Sequence, residues 1–264
     1  MIKAAVLGSP IGHSLSPALH KRAYEILDIP ASYGAIELTP DRAKEFFERA
    51  LDEDWTGFSL TMPLKESIFD LNFTIDPIAE RMRSANTLVR KGNTFYATST
   101  DRTGFIRLFD GVDKKRVAII GGGGTARAAL SALDGTAGSI DFLLRSPSRA
   151  DLLSTIADQS EINFFDMKHS LRGYDLVIST VPTGASDSIA SLLDFKIPTL
   201  CEVLYKPYPT RLLAKAQSFG THTIDGIDLL VEQALDQVLL FTGKVFDLMS
   251  MRIALQSIGR SHLQ

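Results

Sequence analysis

The sequence predicts an α/β protein built as two domains. Three observations carry this. The first hundred residues alternate short apolar runs with segments of helical spacing. Four consecutive glycines at 121–124 then restart the same alternation. Residues 226–258 read as mainly helical, with an apolar stripe through Leu229, Leu230, Ala234, Val238 and Phe241.

In chain order, residues 3–8 read as a strand running into Gly8. A helix over 17–28 follows, with Ser16 as N-cap and Pro17 at the first helical position. A strand is expected at 33–37, and Thr39 and Pro40 open a helix to about Asp52. A strand at 56–60 leads into Pro63 and a helix from about Lys65. DPIAERMR looks helical, and TLVRKGNTFYATST looks like a hairpin about a Gly-Asn turn. A helix runs from about Arg102 to Phe109. Further strands are expected at 117–120, 139–144, 175–181 and 198–203. A long terminal helix of this kind commonly packs back on an earlier domain. The expected division is therefore 1–102 plus 238–264 for one domain and 103–237 for the other. A groove between two such domains is the default place for a ligand.

The stretch RVAIIGGGGTARAALSALDGTAGSIDFLLRSPSR has the layout of a dinucleotide-binding, Rossmann-type βαβ unit. Gly121 suits the tight turn out of the strand, and Gly123 lets the backbone approach a pyrophosphate. Ala126 falls where a small residue lets helix and strand pack closely. The N-terminus of the helix that follows aims N–H groups at the phosphates. The end of the second strand names the cofactor. NAD binders place an acid there, whereas Arg145, Ser146 and Arg149 occupy that window here. A guanidinium matches a 2′-phosphate as a bidentate cation, so the expected cofactor is NADP. The competing acid, Asp141, lies inside the strand. The bland alternative is that both arginines are solvated loop cations.

The totals narrow the field. With 264 residues, 45% of them hydrophobic and 22% charged, the chain has the composition of a soluble globular protein. A net charge of −3 gives no footprint for nucleic acid or an anionic membrane. The lone Cys201 excludes an intrachain disulfide and fits a reducing cytoplasm; its apolar setting suits a small buried residue better than a nucleophile. The N-terminus lacks the apolar length of a signal peptide, and no run reaches the roughly 18 apolar residues of a membrane span. His13, His20, His169, His222 and His262 show no metal-ligand spacing, so no metal is expected.

Polar residues that follow apolar runs are the candidates for chemistry, because ligand groups gather at strand ends in α/β domains. They are Ser14 and Ser16 in GSPIGHSLSP, Thr61 and Lys65 in SLTMPLK, Asn86 in SANT and Asp101 in STD. Each has a plain structural alternative. Ser16 or Asp101 would cap a helix, Ser14 would serve a turn, and Asn86 would satisfy loop backbone. A surface lysine at a helix start opposes the helix dipole, which favours a functional Lys65. Spacing alone does not pair Lys65 with Asp101.

Together these strings resemble the shikimate dehydrogenase family over essentially the whole chain and in the family's order. GSPIGHSLSP matches its G-x-P-I-x-H-S-x-S-P opening, SLTMPLK its N-V-T-x-P-x-K, SANT its A-x-N-T and STD its N-T-D. GGGGTARA matches the nucleotide loop G-A-G-G-A-x-R-A, and LRS the N-R-T motif. EVLYKPYPTRLL resembles D-x-x-Y-x-P-x-x-T-x-L, and GIDLLVEQA resembles G-x-x-M-L-x-x-Q.

The resemblance implies NADP-dependent, reversible reduction of 3-dehydroshikimate to shikimate, a step toward chorismate and the aromatic amino acids. It implies an N-terminal substrate domain completed by C-terminal helices, a Rossmann-type NADP domain, a cytoplasmic setting, and a monomer or homodimer. Lys65 and Asp101 would form the catalytic pair. Ser14 and Ser16 would bind the substrate carboxylate, and Thr61, Asn86, Tyr205 and Gln233 would bind hydroxyls or line the pocket. The glycine loop of Gly121, Gly122, Gly123 and Gly124 with Thr125, together with Arg145, Ser146 and Arg149, would hold NADP, and Val203 and Gly226 would lie near its nicotinamide end. Four positions depart from the family pattern: Ser59 and Ser99 replace asparagines, Leu144 replaces the Asn before Arg145, and Arg102 stands where Gly is common. Two other readings stay open at this point. One is an enzyme of broader specificity that also oxidises quinate. The other is a nucleotide sensor on the same fold without turnover.

Overall fold

The computed structural model describes residues 1–263. It divides into two compact units, 1–103 with 230–262 and 104–229.

The first unit opens with β1 (Ile2–Gly8), α1 (Ser16–Ile26), β2 (Ala31–Glu37), α2 (Pro40–Asp52), β3 (Gly57–Leu60) and the one-turn α3 (Leu64–Ser67). It continues with β4 (Thr74–Ile75), α4 (Pro77–Met82), β5 (Thr87–Lys91), β6 (Thr94–Thr98) and α5 (Thr100–Leu108), whose last turns belong to the second unit. The sheet order is β2-β1-β3-β5-β6-β4. β1 runs parallel to β2 and β3, and the β5–β6 hairpin then continues the sheet antiparallel.

Local chemistry explains the elements. β3 is buried along its whole length, as a central strand covered on both faces must be. α2 starts on Pro40 with Asp41 in its first turn, and buries Ala43, Phe47 and Ala50 at helical spacing. Phe47 packs edge-on against Phe58 and Phe73, which anchors the helix to the sheet. Asp76 caps α4 by accepting from the Ile78 and Ala79 amides.

The second unit holds β7 (Arg116–Ile120), α6 (Gly124–Leu133), β8 (Ser139–Leu144), α7 (Ala150–Ser154), β9 (Glu161–Asp166) and β10 (Leu176–Ser179). It ends with α8 (Asp187–Leu192), β11 (Thr199–Glu202), α9 (Arg211–Ser218) and β12 (His222–Ile224). All six strands are parallel, in the order β9-β8-β7-β10-β11-β12. That is the 3-2-1-4-5-6 order of the doubly wound dinucleotide fold. α10 (Gly226–Thr242) begins in this unit and continues into the first, followed there by α11 (Leu248–Ser261).

Some expectations change. The helical tail breaks at Gly243, whose φ of +67 is a left-handed conformation that ends α10. Ser16 does not cap α1. Leu15 holds the cap position without a side-chain bond, and Ser16 is the first helical residue. The Ser14 hydroxyl accepts the Ser16 amide instead, at 3.3 Å. β4, β9 and β12 add short or half-buried edge strands to those expected. The division at 229/230 lies before the expected 237/238, because Gln233 and Gln237 bond into the first unit.

Candidate active site

The first sheet brings its polar strand ends to one edge. β1 and β3 are parallel, so the loops carrying Ser14 and Thr61 leave from the same side. β5 is antiparallel to β3, which places its start, next to Asn86, at that side too. β6 returns antiparallel to β5 and delivers Thr100 and Asp101 there.

The side chains meet accordingly. Lys65 Nζ donates to Asp101 Oδ2 at 2.6 Å. The Asp101 carboxylate is 6% exposed and the Lys65 side chain 17%, so the ion pair lies in a shielded recess with an opening on the lysine. Asn86 Nδ2 donates to Asp101 Oδ1 at 2.9 Å, which occupies the other carboxylate oxygen. Asn86 also faces Thr100 Oγ1 at 3.0 Å and Gln233 Oε1 at 3.4 Å, and its own Oδ1 accepts the Thr100 amide at 2.7 Å. A lysine held on an oriented carboxylate is an arrangement that can pass a proton to or from an adjacent oxygen. Ser16 is buried, whereas Ser14 and Thr61 are half-buried.

Residues that the sequence did not single out surround this pair. Gln237, fully buried one turn after Gln233, donates to Thr87 Oγ1 at 3.0 Å and accepts from Ser59 Oγ at 2.7 Å. Tyr33 donates to Ser59 at 2.6 Å. The ring of His20 stacks on Tyr33 and reaches Gln237 Oε1 through Nε2 at 3.1 Å. Burial pushes His20 down to about 3, so it stays neutral. The available signal was a pair of glutamines four residues apart on an otherwise apolar helix face.

In the second unit, the parallel strands aim their C-terminal ends at the glycine turn. Gly121 has φ +106, and a Cβ there would stand 2.7 Å from Thr180 Oγ1. Both features require glycine. Gly123 is the N-cap of α6, and Gly124 and Thr125 form its first turn, which sets the positive end of the helix dipole beside the glycine turn. Arg149 folds back to donate to Gly122 O at 2.9 Å. Arg145 and Ser146 are exposed just after β8. Leu144 packs beside Gly122, filling the place of the family's Asn with an apolar contact. Asp141 is buried under the sheet with the Tyr174 hydroxyl on it at 2.5 Å, away from the strand end. Gly226 lies against Val203, whose carbonyl oxygen would be 2.5 Å from an added Cβ. Tyr205 is half-buried in the loop after β11.

Glu202, at the end of β11, is fully buried. Burial raises its carboxyl to about 7, against the pull of the Leu204 amide and the Thr210 hydroxyl. Those bonds tie the two ends of the 203–210 loop to one carboxylate. Among the described residues no group of three or more His, Cys, Asp or Glu could hold a metal, and no helix is long and apolar enough to cross a membrane.

Comparison with known proteins gives a consistent result. Residues 6–88 match the family model for the shikimate dehydrogenase substrate binding domain. The chain is 33% identical to the shikimate dehydrogenase (NADP(+)) of Methanosarcina mazei, over 90% of this chain and 91% of that protein. The crystal structure of Mycobacterium tuberculosis shikimate dehydrogenase superposes with a TM-score of 0.88 at 31% identity, covering 97% of this chain and 99% of that one. Shikimate 5-dehydrogenase from Thermus thermophilus, in complex with NADP(H) and shikimate, matches with a TM-score of 0.82 at 27% identity, over 98% of this chain and all of that one. By its sequence and by the fold of both units, the chain belongs to the shikimate dehydrogenase family.

Proposed function

We propose that this chain catalyses the NADP-dependent, reversible interconversion of 3-dehydroshikimate and shikimate. The observation that carries the reading is the Lys65–Asp101 pair, 2.6 Å apart, with Asn86 on the second carboxylate oxygen. A sensor needs a nucleotide site but has no use for a buried proton-transfer pair. The relatives' printed names, and the Thermus thermophilus complex with NADP(H) and shikimate, support the same substrate and cofactor.

The second unit fits the cofactor. The Gly121 turn has no room for a side chain, α6 begins directly after the turn with the positive end of its dipole, and Arg145, Ser146 and Arg149 suit a 2′-phosphate. When bound, NADP supplies or accepts the hydride at the ring carbon. Lys65 Nζ donates the proton to the carbonyl-derived oxygen during reduction and takes it from the hydroxyl during oxidation. Asp101 Oδ2 holds the ammonium in place through both directions. Ser14 and Ser16 bind the substrate carboxylate, and Thr61, Asn86, Gln233 and Tyr205 orient its hydroxyls. Val203 and Gly226 would border the nicotinamide of the bound cofactor. The reading extends to a reducing cytoplasm, which the single free thiol, Cys201, suits.

The test is absorbance at 340 nm with shikimate or quinate, each paired with NADP⁺ or NAD⁺. Turnover is expected with shikimate and NADP⁺ above all other pairs. Equal or greater turnover with quinate would assign the broader activity. Cofactor binding with no turnover in any pair would overturn the enzyme reading.

A further inference from the structure

The buried polar cluster under Asn86 does more than fill space. Its hydrogen bonds have a direction. Ser59 and Thr87 are cross-strand partners of β3 and β5, so their side chains share one face of the sheet. Gln237 reaches both from α10. Its Oε1 accepts from Ser59, so the His20 Nε2 beside the same oxygen must be the donor, and His20 Nδ1 accepts from the Tyr24 hydroxyl at 3.2 Å. Burial keeps His20 neutral, which permits only one such arrangement. The Gln237 amide is thereby fixed with its NH₂ toward Thr87 Oγ1 and the Asn86 carbonyl, at 3.0 and 3.4 Å. Thr87 receives that donor and sits 3.2 Å from Asn86 Oδ1 and 3.1 Å from Thr100 Oγ1, whose own hydroxyl also reaches Asn86 Oδ1 at 3.2 Å, so its hydrogen stays within the Asn86 cluster. With its oxygen held there and by the Thr100 amide, Asn86 presents its NH₂ to Asp101 Oδ1 and leaves Oδ2 for Lys65.

We infer that Gln237 is a positioning residue for the catalytic pair, acting through Thr87 and Asn86 to hold the Asp101 carboxylate in register with Lys65. Ser59 fits this role. Where the family has Asn, the shorter hydroxyl leaves both of its hydrogen-bonding sites to Tyr33 and Gln237, so the amide at this point comes from the helix rather than from the strand. The bonds of Gln237 run to His20, Ser59, Thr87 and the Asn86 carbonyl. Its effect is on geometry.

This inference rests on the proposed dehydrogenase activity, and the test separates the two. Shikimate oxidation with NADP⁺ is measured for the wild type, Gln237→Met, Gln237→Glu, Asn86→Ala and each Gln237 variant in the Asn86→Ala background. Gln237→Glu, assayed above the pH at which its burial-raised carboxyl ionises, keeps acceptor oxygens for Ser59 and His20 but has no donor for Thr87, so it tests direction rather than packing. Both single variants are expected to lower kcat by about ten- to a hundredfold, the scale of a small misplacement of reacting groups. KM for shikimate should change by less than about threefold, as expected when ground-state binding is spared. In the Asn86→Ala background the same substitutions should cost kcat nothing further, because the relay is already cut. A general loss of structure would instead lower kcat in both backgrounds alike. An active wild type with kcat unchanged in Gln237→Glu, or with additive losses, overturns the positioning role. A wild type that does not oxidise shikimate overturns the function itself, and this inference with it. If Gln237→Met does not fold, Gln237→Glu alone decides.

Discussion

Replacing Lys65 by Met separates stability from chemistry. The ammonium sits 2.6 Å from a carboxylate that is 6% exposed, and Asn86 donates to the other oxygen of that carboxylate. Removing one partner of a buried pair typically costs about 3–5 kcal/mol, because the remaining charge is uncompensated. The Lys65 side chain is itself 17% exposed, so water can reach part of the gap. A loss of about 2–4 kcal/mol is therefore expected in urea unfolding near pH 7. The rate should fall independently. A general acid–base group contributes about 10²–10⁴ in kcat, and Lys65→Met should lose that much in both directions of the reaction. The double variant Lys65→Met with Asp101→Asn removes both charges. It should recover most of the stability, since an amide opposite Met leaves no buried ion. It should recover none of the rate. Folded Lys65→Met with kcat within about tenfold of wild type would remove Lys65 from proton transfer. A double variant no more stable than the single one would show that the pair is not the buried interaction described.

Two further outcomes follow from the second unit. Arg145→Ala should raise KM for NADP⁺ by about tenfold or more while sparing NAD⁺, since a guanidinium at that strand end serves only a phosphate; equal losses for both cofactors in steady-state kinetics would overturn the assignment. Glu202 has its carboxyl raised from 4.5 to about 7, so between those pH values the folded chain holds a proton that the unfolded chain has released, and wild-type stability falls as pH rises, by up to about 3 kcal/mol. Glu202→Gln lacks that slope, so urea unfolding should show its advantage over wild type growing from pH 4.5 to 7 and levelling above; a difference independent of pH would refute the shift.

Much of this was written locally in the chain. The strand before Gly121, the helix after it and the cations after Leu144 each announce themselves within a few residues, because turn geometry and phosphate chemistry are short-range demands. Edge strands are harder. β12 is three residues long and begins with an exposed His, and β9 is only half-buried, so neither needs the apolar run that marks a central strand. The stretch 226–258 reads as mainly helical, and its apolar stripe stops at Phe241; the positive φ at Gly243 just beyond marks where α10 ends. Ser16 shows the limit of capping rules. A hydroxyl at a helix start is compatible with the first turn as well as the cap, and here Ser14 satisfies its amide. The contact between Lys65 and Asp101 was invisible to periodicity, since 36 residues separate them. Resemblance suggested it, but no local pattern did.

What joins those two residues is the antiparallel hairpin set into an otherwise parallel start. β1 and β3 alone would collect only the loops after their C-terminal ends, which supply the serines, Thr61 and Lys65. A further parallel strand would have needed a crossover helix to return to that edge. The β5–β6 hairpin instead departs from the edge at Asn86 and comes back to it at Thr98 within a dozen or so residues. It delivers the amide and the carboxylate as neighbours, with Asn86 donating directly to Asp101. The pairing of Ser59 with Thr87 and of Thr87 with Thr98 fixes this arrangement in rows across three strands. A slip of one residue in β5 would turn Thr87 to the opposite face and leave Gln237 without its acceptor. Register in this short hairpin is thus a condition of the chemistry as well as of the fold, and the glutamine from α10 is bonded to the row where a slip would first be felt.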